Sequence, residues 1–249
     1  MKININISNP DEWKLAFPPA GGDKQWKDKF SAKELAKIVT NYKNYVGKDF
    51  ELLLQDNEEF KGLKLINVFP EHLSHFDDNP RGPRHHDLAC IAEKDGDRIA
   101  LCFEAKVSES FDKRLSSWQN SDGKKTRCNI LCKNFFGDIY NDKFKDIYYQ
   151  LLSAVAGTIA FASENGCSKA YFIVYQIIPE EKKISDHKKK INDFIKLVST
   201  AEKKEVVGSG SFVNLGGLKI DRKNEKGEPL CAEVHIGYIE QKVTGEKID

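Results

Sequence analysis

The chain has 249 residues, enough to bury a sizeable core, and 39 Lys+Arg against 38 Asp+Glu leave a net charge of +1. That balance excludes a polybasic protein drawn to its partner by bulk charge, and 31% charged beside 40% hydrophobic residues excludes a disordered chain. No apolar run approaches the ~20 residues of a membrane helix, and the opening MKININISNPDEW lacks the apolar stretch of a signal peptide.

The first 30 residues, with Pro10, Pro18, Pro19, Gly21 and Gly22, read as an irregular lead-in. Ser31 and Glu34 have the spacing of a capping box, and Leu35, Ile38, Val39 and Tyr42 continue at helical intervals. A short helix is expected from Asp49, carrying Phe50, Leu53 and Leu54. Gly62 to Phe69 reads as a strand ended by Pro70, followed by a turn-rich stretch to Pro83. Asp87 to Glu93 and Arg98 to Val107 read as two strands joined at Asp95-Gly96, a strong hairpin signal. Residues 108–140 are polar with apolar islands at Ile130-Leu131 and Phe135-Phe136, and no element is assigned there.

From Asn141 a helix is expected, its stripe made by Phe144, Ile147, Tyr148, Leu151, Leu152, Val155 and Ile159 and its stop by Asn165-Gly166. Ala170 to Ile178 is a near-continuous apolar run, the pattern of a strand buried on both faces, parallel to the one before the helix. A helix over Asp186 to Ala201 and a strand over Cys231 to Gln241 complete the pattern. The order predicts an α/β fold with a mixed β-sheet flanked by helices. With no repeat or linker, residues 1–249 read as one domain, its core at about 62–178 with N- and C-terminal elaborations.

The six cysteines, Cys90, Cys102, Cys128, Cys132, Cys167 and Cys231, form no CxxC pair and read as free thiols in a reducing cytoplasm. A zinc site from Cys128, Cys132 and the histidines 72, 75, 85 and 86 is a weaker alternative, because paired ligand spacing is missing.

The hairpin carries the chemistry. A two-residue turn at Asp95-Gly96 sets Glu93 opposite Arg98 and Asp87 opposite Glu104, with Lys106 two residues along on the same face. Two facing carboxylates repel unless a divalent cation, the Lys106 ammonium or a shared proton compensates. Carboxylate oxygens suit Mg²⁺, and a neighbouring lysine can orient a water or stabilise charge on a phosphate. Taken alone, Glu104-Ala-Lys106 is a weak signal in so charged a chain. Its combination with Asp87 at the facing position is what points to metal-assisted phosphodiester hydrolysis.

With Asp87, Glu104-Ala-Lys106, then a helix and a strand, the chain resembles the PD-(D/E)XK nuclease superfamily over Gly62 to Ile178. Within it, the chain looks like a bacterial restriction-endonuclease-like branch. The matching segments are Ser31 to Ala36, Glu104 to Phe111, Tyr149 to Leu152 and His235 to Tyr238. The proline of the family name is replaced by His86, with Pro83 further upstream. The resemblance implies a restriction-endonuclease-like fold and a Mg²⁺-dependent nuclease, with Mn²⁺ as a substitute. It implies Asp87 and Glu104 as metal ligands, Lys106 as the residue that positions or activates water, and Gln150 on the following helix as a further site residue. It also implies an upstream Glu, for which Glu34, Glu51 and Glu71 are all candidates, and Glu109 is an optional extension of the acidic cluster.

Arg84, Lys113 and Arg114, with Arg81, flank the site in sequence and are the expected contacts to substrate phosphate. Two further basic clusters, Lys124, Lys125 and Arg127, and Lys182, Lys183 and Lys188 to Lys190, could track a backbone, and Trp26 and Trp118 could stack on bases. The expected partner is nucleic acid, DNA foremost, in restriction or phage defence, with no membrane and with a homodimer for double-strand cutting. The alternatives are a catalytically silent restriction-like module that binds nucleic acid or protein, and an acid–base enzyme acting on a small substrate through Asp87 and Glu104.

Overall fold

The computed structural model describes residues 2–3, 7–79, 82–179 and 186–243. Its strands are β1 (Lys2–Ile3), β2 (Lys64–Ser74), β3 (Arg84–Lys94), β4 (Asp97–Lys106), β5 (Lys169–Pro179), β6 (Ser211–Lys223) and β7 (Pro229–Val243). They form one sheet in the order β1-β2-β3-β4-β5-β7-β6. The sheet is mixed, as expected: β2, β3 and β4 form an antiparallel meander, and β4, β5 and β7 run parallel.

The β3–β4 hairpin has the register the sequence predicts, with Lys94 opposite Asp97 and Glu93 opposite Arg98. Asp95 and Gly96 both take positive φ, 53° and 86°, as a two-residue turn matched to strand twist requires. Gly96 adopts that backbone freely, and Asp tolerates it better than most residues.

Helices cover both faces. On one lie α5 (Asp122–Phe136), α6 (Tyr149–Glu164) and α7 (His187–Ile195), packed on Ala89, Ile91, Ala100, Cys102 and Phe172. On the other lie α1 (Pro10–Ala16), α2 (Ser31–Val39) and α3 (Phe50–Gln55), packed on Leu88, Cys90, Leu101, Phe103 and Tyr175. The apolar run of β5 is explained by this double cover: Phe172 and Val174 face one layer, Tyr171 and Ile173 the other. A short helix, α4 (Leu115–Trp118), bridges β4 to α5.

Several expectations are corrected. Pro70 does not end β2; it lies inside the strand opposite Leu88. Among the described residues β1 pairs with β2 only at Asn67 and Val68, so no described ladder bond on that side falls on Pro70. The unassigned stretch 108–140 holds the 15-residue helix α5, whose buried stripe is Cys128, Leu131, Cys132, Phe135 and Phe136. The helix expected from Asn141 is a 3₁₀ turn at Asp142–Phe144 followed by α6 from Tyr149. The last helix is shorter than expected, ending at Ile195, with Asp186 accepting from the Lys189 amide as its cap. Ser31 and Glu34 form no capping box: Ser31 is the first helical residue, and the Glu34 side chain accepts from the Lys29 amide, Lys37 and the Tyr45 hydroxyl.

Candidate active site

The ends of β2, β3 and β4, the start of α6 and the irregular segment around residues 19–32 enclose a cleft of about 450 Å³. Glu71, Arg84, Asp87, Glu104, Lys106 and Gln150 line it. The antiparallel ladder pairs His72 with His86 and Pro70 with Leu88, which sets Glu71 opposite Asp87. The last ladder pair of the hairpin is Leu88 with Phe103, so Asp87 and Glu104 occupy the next position, where the strands open into the cleft.

Glu104 is the hub, only 3% exposed. Its Oε1 accepts from Lys106 Nζ at 2.6 Å and from Gln150 Nε2 at 2.6 Å, and its Oε2 accepts from the Arg84 guanidinium. Gln150 is itself aimed by the Asp112 amide, which donates to its Oε1 at 3.1 Å. Asp87 Oδ2 accepts from the Ala105 amide at 2.7 Å, which locks its side chain across the hairpin.

The electrostatics follow from burial and crowding. Burial would raise the Glu104 carboxyl, but Lys106 and Arg84 outweigh it and hold it below its ordinary value. Asp87 is pushed up to about 7, first by burial and then by the charge of Glu104. Glu71 is pushed up to about 9 by burial, Asp87 and Glu104 in that order. Glu71 also sits at φ 49°, a left-handed backbone uncommon for any residue but glycine, and its Oε2 lies 3.4 Å from His85 Nδ1. Of the acids lining the cleft, Glu71, Asp87 and Glu104 crowd one another beside two cations, Arg84 and Lys106, the arrangement in which acids are held protonated or a metal is taken up.

Gly157 of α6 makes room for this. A Cβ there would lie 2.7 Å from Arg84 Cγ and from His86 Nε2, so glycine is what allows the helix to approach β3 this closely. His86 is fully buried behind the site, with neither ring nitrogen hydrogen-bonded, and its pKa is driven well down by burial. Next to the site, Gln176 of β5 donates to the carbonyls of Lys106 and Val107 and accepts from His187 Nδ1, buttressing the strand end that carries Lys106.

The structure sorts the sequence candidates. Asp87, Glu104, Lys106 and Gln150 are brought together. Among the upstream acids, Glu71 lines the cleft, whereas Glu34 is used by Lys37 and Tyr45, and Glu51 accepts from the Leu65 amide. Glu109 is a structural clamp: it accepts from the Val107 and Ser108 amides and from the Ser31 amide at the start of α2. It thereby supplies the N-terminal carboxylate that α2 favours and ties the lead-in to the end of β4. Arg84 lines the cleft, but against a carboxylate rather than open to substrate. Lys113 and Arg114 are not among the lining residues, and Arg114 pairs with Asp146 at 2.9 Å. Arg81, Lys182 and Lys183 lie outside the described residues. The cleft wall at residues 19–32 is the part sequence reasoning missed; the Glu109–Ser31 contact that makes it has no local signature.

The zinc alternative is not supported. Cys128 and Cys132 are buried in the helix–sheet core with sulfurs 4.0 Å apart, and all six cysteines are free thiols. Among the described residues, no three His, Cys, Asp or Glu side chains are gathered to hold a metal ion as they stand. For Mg²⁺ the donor chemistry fits: the acids are all hard oxygen donors, and burial together with the charge of neighbouring carboxyls raises Asp87 and Glu71, a load that a divalent cation would offset. Both Glu104 oxygens already accept hydrogen bonds, Oε1 from Lys106 and Gln150 and Oε2 from Arg84. Among the described residues no helix is long and apolar enough to cross a membrane.

The model of a family described as "Domain of unknown function (DUF6946)" matches residues 6–240. Neither a search of curated proteins nor one of solved structures found a match.

Proposed function

The chain belongs to the DUF6946 family, whose description assigns no activity, and from its own site we propose that it is a divalent-metal-dependent nuclease that hydrolyses phosphodiester bonds, with DNA as the leading substrate. The observation that carries this reading is the convergence of Glu71, Asp87, Glu104, Lys106 and Gln150 on one cleft, with the acids pushed apart in pKa. Asp87 and Glu104 would hold Mg²⁺, or Mn²⁺ in its place. The bound ion supplies positive charge to the scissile phosphate and lowers the pKa of the attacking water.

The chain's own groups do the rest. Lys106 lies beside Glu104, where it can hold the attacking water or offset the charge that develops on the phosphate. Gln150 fixes the orientation of the Glu104 carboxylate. Arg84, once released from Glu104, is placed to donate to a phosphate oxygen. A restriction or phage-defence setting in the cytoplasm, where the free thiols stay reduced, suits these parts.

The test is cleavage of plasmid, linear duplex, single-stranded DNA and RNA with Mg²⁺ or Mn²⁺, with wild type beside Glu104→Ala and Lys106→Ala. Metal-dependent cleavage abolished by both substitutions is expected. Cleavage that survives Glu104→Ala would overturn the assignment. One observation favours a second reading. The Arg84 guanidinium occupies the oxygen a metal would use, which is what a catalytically silent nucleic-acid-binding module of the same fold would show. Nucleic-acid binding with no metal uptake distinguishes it.

A further inference from the structure

A second cavity, of about 370 Å³, adjoins the carboxylate cleft, and Arg84 and His85 line both. Its chemistry is the opposite of its neighbour's. Arg84, Lys124 and Arg127 line it, and among the described residues no carboxylate does. Arg127 is fixed: it donates to both oxygens of Asp77 at 2.5 and 2.7 Å, to the Gly82 carbonyl at 2.8 Å and to the Tyr149 hydroxyl at 3.3 Å. Lys124 is not neutralised: its Nζ donates to the uncharged Asn120 side chain at 3.0 Å and sits 5.3 Å over the Trp118 ring. The buried Arg84 Nε has no hydrogen-bond partner. Trp118 and Tyr149, stacked on each other at 3.4 Å with ring planes 9° apart, stiffen one side of the cavity.

Arg84 is paired with Glu104 and Arg127 with Asp77, which leaves Lys124 as the cation here with no carboxylate partner among the described residues, and it faces the unpartnered Arg84 Nε side of a concave wall where an anion would be favoured. The cavity is large enough for a nucleotide-sized group. An acidic cleft for the reacting phosphate lies beside a basic pocket for its neighbour, and the two share Arg84. We propose that this second cavity is a phosphate subsite, which receives the backbone phosphate next to the one held in the carboxylate cleft. Lys124 and Arg84 are its cations and Arg127 its fixed wall. The proposal rests on the nuclease reading for the identity of its ligand.

The same chemistry would also take a free phosphate, so the experiment has two arms. In the first, binding of a fluorescein-labelled 12-nucleotide single strand is followed by anisotropy with Ca²⁺ in place of Mg²⁺, across a range of salt. Wild type is compared with Lys124→Ala, Lys124→Arg and Lys226→Ala, the last in the exposed turn between β6 and β7. Lys124→Ala is expected to weaken binding fivefold or more and to lower the salt slope by about 0.7, the value of one single-strand phosphate contact. Lys124→Arg and Lys226→Ala are expected to match wild type. In the second arm, inorganic pyrophosphate is titrated calorimetrically without metal, and its binding is expected to depend on Lys124.

Unchanged affinity and salt slope in Lys124→Ala overturns the subsite. So does Lys124-dependent binding of pyrophosphate but not of the strand, which makes it a free-anion site. Cleavage of the same strand in Mg²⁺ is read separately. If wild type cuts and Lys124→Ala binds normally, the subsite fails and the nuclease stands. If Lys124-dependent binding is seen without cleavage, the nuclease reading fails and the subsite stands.

Discussion

Replacing Glu71 by Gln is expected to make the metal-free protein more stable at pH 8 and to leave it nearly unchanged at pH 5. The two side chains have the same shape, so the left-handed backbone at φ 49° is equally strained in both and drops out of the comparison. What changes is the acid. Burial, Asp87 and Glu104 hold its folded pKa at about 9 against an ordinary 4.5. Below pH 4.5 the carboxyl is protonated in both folded and unfolded chains. Between pH 4.5 and 9 the unfolded chain loses the proton and the folded one keeps it, so stability falls as pH rises. At 1.36 kcal/mol per pKa unit, the cost at pH 8 has a ceiling of about 5 kcal/mol, and at pH 5 it is under about 1 kcal/mol. Water in the open cleft relaxes part of this, leaving roughly 2 kcal/mol, which for a chain of this length is a rise in Tm of about 4–8 °C. Calorimetric unfolding at both pH values in EDTA is the assay. An equal effect at the two pH values, or a lower Tm for the variant at pH 8, would refute the account of a crowded, proton-holding site.

Other predictions come from the same geometry. Arg84→Met removes one of two cations from buried Glu104 and should cost about 3 kcal/mol in EDTA at pH 7.5, a loss that Mn²⁺ partly restores; denaturant titration with and without Mn²⁺ checks it. Gly157→Ala gains about 1 kcal/mol of helix propensity but drives a methyl into Arg84 and His86, so Tm should fall by a few degrees rather than rise. Arg127→Met should cost about 3 kcal/mol, because Asp77 loses its partner in a part-buried setting, and denaturant unfolding reads this directly.

The hairpin was legible because its determinants are local: Asp95-Gly96 sets the turn, Glu93 and Arg98 support the register, and alternation then puts Glu104 and Lys106 on one face. The apolar run of β5 was equally plain. Glu71 could be only one of three candidates, because its place opposite Asp87 depends on β2 continuing past Pro70, and an edge proline reads like a strand end. Helix α5 had a stripe at 128, 131, 132, 135 and 136, but two of its five members are cysteines and lysines and asparagines interleave them. Arg84 was expected to face substrate; only the three-dimensional arrangement shows it held by Glu104. The lead-in wall of the cleft depends on Glu109 reaching 78 residues back to Ser31, a contact that no local pattern announces.

The central claim is that the carboxylates exist to take up a divalent ion once Arg84 lets go. Calorimetric titration of Mn²⁺ into the metal-free protein at pH 6, followed by anomalous scattering from Mn²⁺-soaked crystals, tests it most directly. The account predicts one ion between Asp87 and Glu104, protons released on binding because Asp87 sits near 7 without metal, and Arg84 displaced from Glu104. No uptake at millimolar Mn²⁺, with Arg84 still on Glu104, would contradict it.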